Sequence, residues 1–240
     1  MSSSFPRRPL LVSFSGIDGA GKSTQIENLV ANLREAGLRV QLLTFWDDAA
    51  TLKRTREGAG HRIFGGDKGV GSPEKPIERR DKNVRSPMMT LIRLGLYALD
   101  ALSLRRVAGR ALRSRADVVI FDRYLFDELA NLNLSNSVAR WYLRVLLALV
   151  PMPQTGLVLD ADPVQAHTRK PEYPLDFLHE NRRAYLRLAE MAGLTVIAPQ
   201  PLPQAKAAVV SCVMAHLAGA PEIPAPETQL DGQSARPVAS

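Results

Sequence analysis

Eight consecutive residues, Gly16, Ile17, Asp18, Gly19, Ala20, Gly21, Lys22 and Ser23, place two glycines five positions apart and follow them with lysine and a hydroxyl residue. This is the spacing of a phosphate-binding loop. Glycines let the backbone turn so that successive N–H groups converge on phosphate oxygens. A helix starting at the loop's end adds its positive dipole end. Lys22 is then placed to reach the β- and γ-phosphates of a nucleoside triphosphate, and Ser23 to ligate Mg²⁺. The stretch from Gly16 to Thr24 is therefore the candidate phosphate cradle.

The loop works only between a strand and a helix, and the flanks supply both. Leu10–Phe14 is an apolar run suited to a buried strand. Thr24–Ala36 carries Ile26, Leu29, Val30 and Leu33 on one helical face. Further strands are expected at Leu38–Phe45, Ala116–Asp122, Thr155–Asp160 and Leu194–Ala198. Helices are expected at Met88–Arg115 with a break near Gly109, and at Asn136–Val150, from Pro163 to Arg169, Leu175–Ala192 and Gln204–Leu217. Apolar strands alternating with helices imply an α/β fold, a parallel sheet covered on both faces with ligands at the carboxyl ends of its strands. A flexible lead is expected over 1–9, a single phosphate-loop domain over 10–217, a long basic loop or lid insertion over 46–87, and a disordered Pro- and Ala-rich tail over 218–240.

More chemistry falls at predicted strand ends. Val118–Phe121 leads into Asp122, a carboxylate placed to hold Mg²⁺ beside the loop. Asp160 after Leu157–Leu159 competes for that role, but Asp122 is followed at once by Arg123. Arg123 and Tyr124 are expected to line the same cleft, with Arg123 as a donor fork for an acceptor phosphate. Arg169, in a short basic stretch bounded by Pro171, is the candidate for neutralising charge on a transferring phosphoryl group, with Arg182 and Arg183 in reserve.

Composition narrows the classes. The chain has 240 residues, 45% of them hydrophobic, and a formal net charge of +7. One cysteine, Cys212, excludes an internal disulfide and suits a reducing compartment, so a cytoplasmic setting is expected. No signal peptide is expected, and Met88–Leu104 is read as a buried helix because Arg93 and Asp100 interrupt it, so no membrane partner is expected. Ten basic residues and five acids lie between Lys53 and Arg85. Phe64 is the one Phe, Tyr or Trp interleaved with them, too few for the stacking that single-strand binders need, so a small phosphorylated acceptor is the expected partner rather than nucleic acid. The four histidines have no metal-ligand spacing. No N-K-x-D stretch is present to read guanine, and no L-S-G-G-Q signature of transporter ATPases.

Together these residues resemble the thymidylate kinase branch of the nucleoside monophosphate kinases, over about Leu10 to Leu217. The likeness rests on Phe14–Gln25, on Asp122-Arg123-Tyr124 after the third strand, on Leu159-Asp160-Ala161-Asp162-Pro163 at the fourth with Arg169 beyond it, and more weakly on Val196–Gln200. It implies a P-loop NTPase fold of the nucleoside monophosphate kinase type, with a five-stranded parallel sheet. It also implies ATP and Mg²⁺ as cofactors and phosphoryl transfer to a nucleoside monophosphate, dTMP to dTDP. A nucleoside, sugar or other metabolite is the alternative acceptor, and a nucleic-acid-associated ATPase a further one. By the same resemblance Lys22, Asp122 and Arg169 are catalytic, Gly16–Thr24 bind the nucleotide, and Ser23 and Asp122 serve the metal. Arg123, Tyr124 and Arg56 meet the acceptor. A homodimer formed through the apolar face of Leu91–Leu104 is implied as well. The chain departs from the family pattern at Ser15, where glutamate is usual, at Asp100-Ala101, where Asp-Arg is usual, and at Leu125-Phe126-Asp127-Glu128.

Overall fold

The computed structural model describes residues 8–50 and 87–219. The expectations placed on the N-terminal lead, on residues 51–86 including Arg56, and on the tail from 220 lie outside the described residues. Five strands form one parallel sheet in the order β2-β3-β1-β4-β5: β1 (Leu10–Ser15), β2 (Val40–Thr44), β3 (Val118–Asp122), β4 (Thr155–Leu159) and β5 (Thr195–Ile197). β1 lies at the centre, paired with β3 on one side and β4 on the other. Phe14 stands opposite Asp122, and Ser15 opposite Val158. All carboxyl ends therefore open on one edge of the sheet, the edge on which the phosphate-binding loop sits.

The strands read as continuous apolar runs because both faces are covered. Alternate residues feed two cores. Leu10, Val12 and Phe14 of β1, with Val118 and Ile120 of β3, pack under α1 (Lys22–Glu35) and the C-terminal helix Leu202–Leu217. Leu11, Val119, Phe121 and Val158 pack on the other side. There they meet α2 (Pro87–Ala111), α3 (Leu125–Leu129), α4 (Ser137–Leu149) and α6 (Leu175–Ala192). The short α5 (Pro163–Arg169) sits at the loop edge, and the C-terminal helix is α7.

Local chemistry sets the helix ends. The Asn136 side chain accepts from the Val138 N–H to start α4, and Asp162 does the same for Val164 at the start of α5, with Pro163 in the first turn. α6 stops at Gly193, whose φ of 65° is the left-handed cap.

Two expectations needed correction. α2 runs unbroken to Ala111, so Gly109 does not divide it. Tyr97, Ala101, Leu104, Ala108 and Ala111 form one buried stripe along α2, and burial of that stripe outweighs the roughly 1 kcal/mol a helical glycine costs. The described start of the expected long loop, Phe45–Ala49, is a single π-helical turn. Phe45 and Ala49 anchor it in the core.

Candidate active site

Gly16, Gly19 and Gly21 all have positive φ, at 139°, 82° and 86°. Two of them are also sterically obligatory. A Cβ on Gly16 would lie 2.5 Å from the Leu159 carbonyl oxygen, and one on Gly19 would lie 2.4 Å from that of Ala166. The loop is thus seated against the end of β4 and against α5. Lys22 opens α1 and folds back over the loop, donating to the carbonyls of Gly16 and Ile17 at 2.9 Å each. Burial pushes Lys22 down to about 8. The charge of Arg123 acts in the same direction, and Asp127, Asp18 and Asp122 oppose both. A phosphate oxygen entering the cup competes with those two carbonyls for a lysine already held in place.

Asp122 ends β3 beside β1 and β2, opposite Phe14 and Thr44. Burial raises its carboxyl above the ordinary range, and Arg123 and Lys22 work against that shift. Mg²⁺ binds through one or two carboxylates plus substrate phosphates and waters. A hydroxyl at Ser23 and a carboxylate at Asp122, on the loop edge of the sheet, suit that donor set. Asp160 has a different occupation: it follows β4 and takes a two-pronged bond from Arg182 of α6, at 2.6 and 2.7 Å. Of the three arginines considered from sequence for charge neutralisation, Arg182 is therefore engaged in that pair. Arg183 donates to the His179 carbonyl at 3.4 Å within its own helix. Arg169, at the end of α5, donates to the Gly19 carbonyl at 2.9 Å and reaches the phosphate-binding loop.

Arg123 has a φ of 65°, in the left-handed region that favours glycine, and its N–H donates to the Phe14 carbonyl. A non-glycine residue held there signals a position fixed by its surroundings. Its guanidinium bonds to Asp18 of the loop and stands 3.6 Å from Asp127. Burial works against the charge on Arg123. The carboxylates of Asp127 and Asp18 more than reverse this, so the guanidinium is held above its ordinary range. Asp18 feels burial first as well, and the charges of Arg123 and Lys22 override it, leaving the carboxyl below its usual value.

Tyr124 lies elsewhere than expected. Its side chain is fully buried, stacked edge-on against Phe121 and tilted against Phe126, and its hydroxyl donates to the Pro151 carbonyl. The left-handed turn at Arg123 sends the two neighbours in opposite directions, the arginine to the cleft and the tyrosine to the core.

Sequence reading missed what lies under Arg123. Asp127 is buried and accepts from the Ser15 hydroxyl at 2.7 Å, the Tyr124 N–H at 3.1 Å and the Tyr185 hydroxyl at 2.8 Å. Spacing alone did not mark it: Arg123 has a positive φ and precedes the helix that carries Asp127, so the four-residue step between them is not a helical pairing. Nothing local marked Tyr185, which arrives from α6.

No family model matches the chain. It does have relatives along most of its length. It is 30% identical to a thymidylate kinase of Methylococcus capsulatus over 224 residues, covering 87% of this chain and 96% of that protein. It is 25% identical to a probable thymidylate kinase of Archaeoglobus fulgidus over 219 residues, with the same coverage of 87% and 96%. A thymidylate kinase of Bifidobacterium longum is 29% identical over 195 residues, or 75% of this chain and 84% of that protein. With a phosphate-binding loop on the central strand of a 2-3-1-4-5 parallel sheet and identity of this extent, the chain belongs to the thymidylate kinase family.

Proposed function

We propose that the chain transfers the γ-phosphoryl group of ATP to a nucleoside monophosphate, with dTMP as the acceptor and dTDP as the product. One observation carries this reading. Lys22 in the loop and Arg123 at the end of β3 flank the same carboxylate, Asp18, and so present two cations at one edge of the sheet. A donor triphosphate and an acceptor phosphate, brought together in line, need such a pair.

In this reading the N–H groups of Gly16–Thr24 receive the donor phosphates, and Lys22 neutralises the β- and γ-phosphoryl oxygens. Arg123 holds the acceptor phosphate. Arg169, already at the Gly19 carbonyl, turns to the γ-phosphoryl group as charge spreads over its oxygens. An oxygen of the acceptor phosphate forms a bond to the γ-phosphorus while the bond from that phosphorus to the β,γ-bridging oxygen breaks, releasing ADP. Ser23 and Asp122 would hold Mg²⁺ beside the phosphates, and the ion would supply further charge neutralisation. Catalysis is then positioning and electrostatics, with no covalent enzyme intermediate.

Among the described residues no helix is long and apolar enough to cross a membrane. A cytoplasmic setting accords with this reading and with the single cysteine. A second copy of the chain is the proposed partner of the exposed apolar side chains Leu91, Ile92, Leu99 and Leu102 on α2 and Val138 and Trp141 on α4. α2 and α4 pack against each other, and both carry these exposed apolar side chains.

The test is ADP release from purified protein with ATP and Mg²⁺ over a panel of nucleoside monophosphates, nucleosides and sugars. Acceptor-dependent ADP with dTMP, at a kcat/KM above that of the other acceptors, is expected. ADP release that ignores every acceptor, or that prefers a sugar or nucleoside, overturns the proposal.

A further inference from the structure

Asp127 is the residue on which the acceptor side of this cleft converges. It is buried, and each of its oxygens is engaged. Oδ2 accepts from the Ser15 hydroxyl, at the end of the central strand, and from the Tyr124 N–H. Oδ1 accepts from the Tyr185 hydroxyl of α6 and faces Arg123 Nη1 at 3.6 Å. Three protein donors fix the carboxylate, and the carboxylate in turn faces a guanidinium whose other arm is bound to Asp18. Arg123 occupies a left-handed backbone conformation that costs free energy and persists only because its surroundings impose it.

We propose that Asp127, fixed by Ser15 and Tyr185, is the positioning residue that aims Arg123 at the acceptor phosphate. The proposal rests on the reading of Arg123 as the acceptor's donor fork. Asp127 touches no substrate itself. It acts by holding the guanidinium in one orientation before the acceptor arrives, so that binding does not have to order it. The Ser15 hydroxyl reaches Asp127 at 2.7 Å. A longer carboxylate side chain at position 15 can therefore occupy the space that Asp127 fills, provided Asp127 is shortened.

The test is two-substrate steady-state kinetics with ATP and dTMP on Arg123→Ala, Asp127→Asn, Asp127→Ala, Tyr185→Phe and the double variant Ser15→Glu/Asp127→Ala. Melting temperatures are read alongside. Asp127→Asn keeps the shape and removes the charge facing Arg123. It is expected to raise the dTMP KM by about 10- to 100-fold, the effect of a lost charge-assisted contact, while the ATP KM changes by less than about threefold. Tyr185→Phe keeps the ring packing and removes one donor. It should raise the dTMP KM by about 3- to 10-fold, and it decides the matter if Asp127→Asn does not fold. The double variant should recover at least about a tenth of the wild-type kcat/KM for dTMP, where Asp127→Ala alone does not.

If Arg123→Ala raises the dTMP KM but Asp127→Asn and Tyr185→Phe do not, the positioning role is wrong and Arg123 keeps its own. If Arg123→Ala itself leaves the dTMP KM unchanged, the acceptor reading of Arg123 is wrong and the positioning role falls with it. Equal losses for both substrates, with a lowered melting temperature and no recovery in the double variant, would reduce Asp127 to a structural residue and overturn the proposal.

Discussion

The donor side of the cleft closes on itself. Lys22 bonds to carbonyls five and six residues back along the chain, and the loop's shape follows from three glycines in left-handed conformations. The acceptor side is assembled from a distance. Ser15 and Asp127 are 112 residues apart, Asp127 and Tyr185 are 58 apart, and Arg123 and Asp18 are 105 apart. One half is chiefly a backbone structure, with Lys22 laid over it and Arg169 reaching it from α5, and the other is a web of side chains brought together only by the completed sheet. A backbone cup suits a phosphate chain common to all nucleoside triphosphates. A side-chain web can be altered residue by residue, which suits the half that must tell one acceptor from another.

Separate damage to the two halves is the way to sharpen that contrast. The largest effect is expected from Lys22→Ala, which removes the buried cation folded over the loop. Turnover should fall by about 100- to 1000-fold, as when a preorganised donor to transition-state charge is lost, measured as acceptor-dependent ADP release. Arg123→Ala should act on the other half, lowering kcat/KM for dTMP by about 10- to 100-fold, with the larger part in the dTMP KM.

Gly19→Ala strikes the backbone of the donor side. Its Cβ would lie 2.4 Å from the Ala166 carbonyl oxygen at a φ of 82°. The loop and α5 must move apart, at a cost of about 1–3 kcal/mol. Thermal denaturation should show the loss, and the ATP KM should rise with the dTMP KM little changed.

The smallest effect is a pH dependence. Lys22 sits at about 8 in the folded protein, below its ordinary value of 10.5. The buried ammonium therefore opposes folding. The stability contributed by its neutral form is complete above about pH 10.5 and is lost as pH falls through about 8. Phosphate binding needs the charged form, so kcat/KM for ATP should decline above about pH 8, by up to tenfold per pH unit. The rise in melting temperature given by an ATP analogue should likewise be smaller at pH 9 than at pH 7. Lys22→Ala should flatten both dependences.

The same contrast explains what could be read from sequence. The phosphate-binding loop, the strands around it and the helix Leu175–Ala192 announce themselves within short windows, through glycine spacing and apolar period. The placement of Asp122 beside the central strand follows from the parallel order of the sheet. Tyr124 was misplaced because nothing in Asp122-Arg123-Tyr124 shows that the arginine takes a positive φ and turns its neighbour into the core. The engagement of Arg182 by Asp160 and the convergence on Asp127 are tertiary facts with no local pattern. The short helix Leu125–Leu129 is one turn of five residues, too brief for periodicity to reveal.

The division of the cleft into a backbone-built donor half and a side-chain-built acceptor half is tested most directly by equilibrium titration of Lys22→Ala with a non-hydrolysable ATP analogue and, separately, with dTMP. The account predicts that affinity for the analogue drops by at least about tenfold while dTMP binds as it does to the wild type. Equal loss of both ligands, or an unchanged affinity for the analogue, would contradict it.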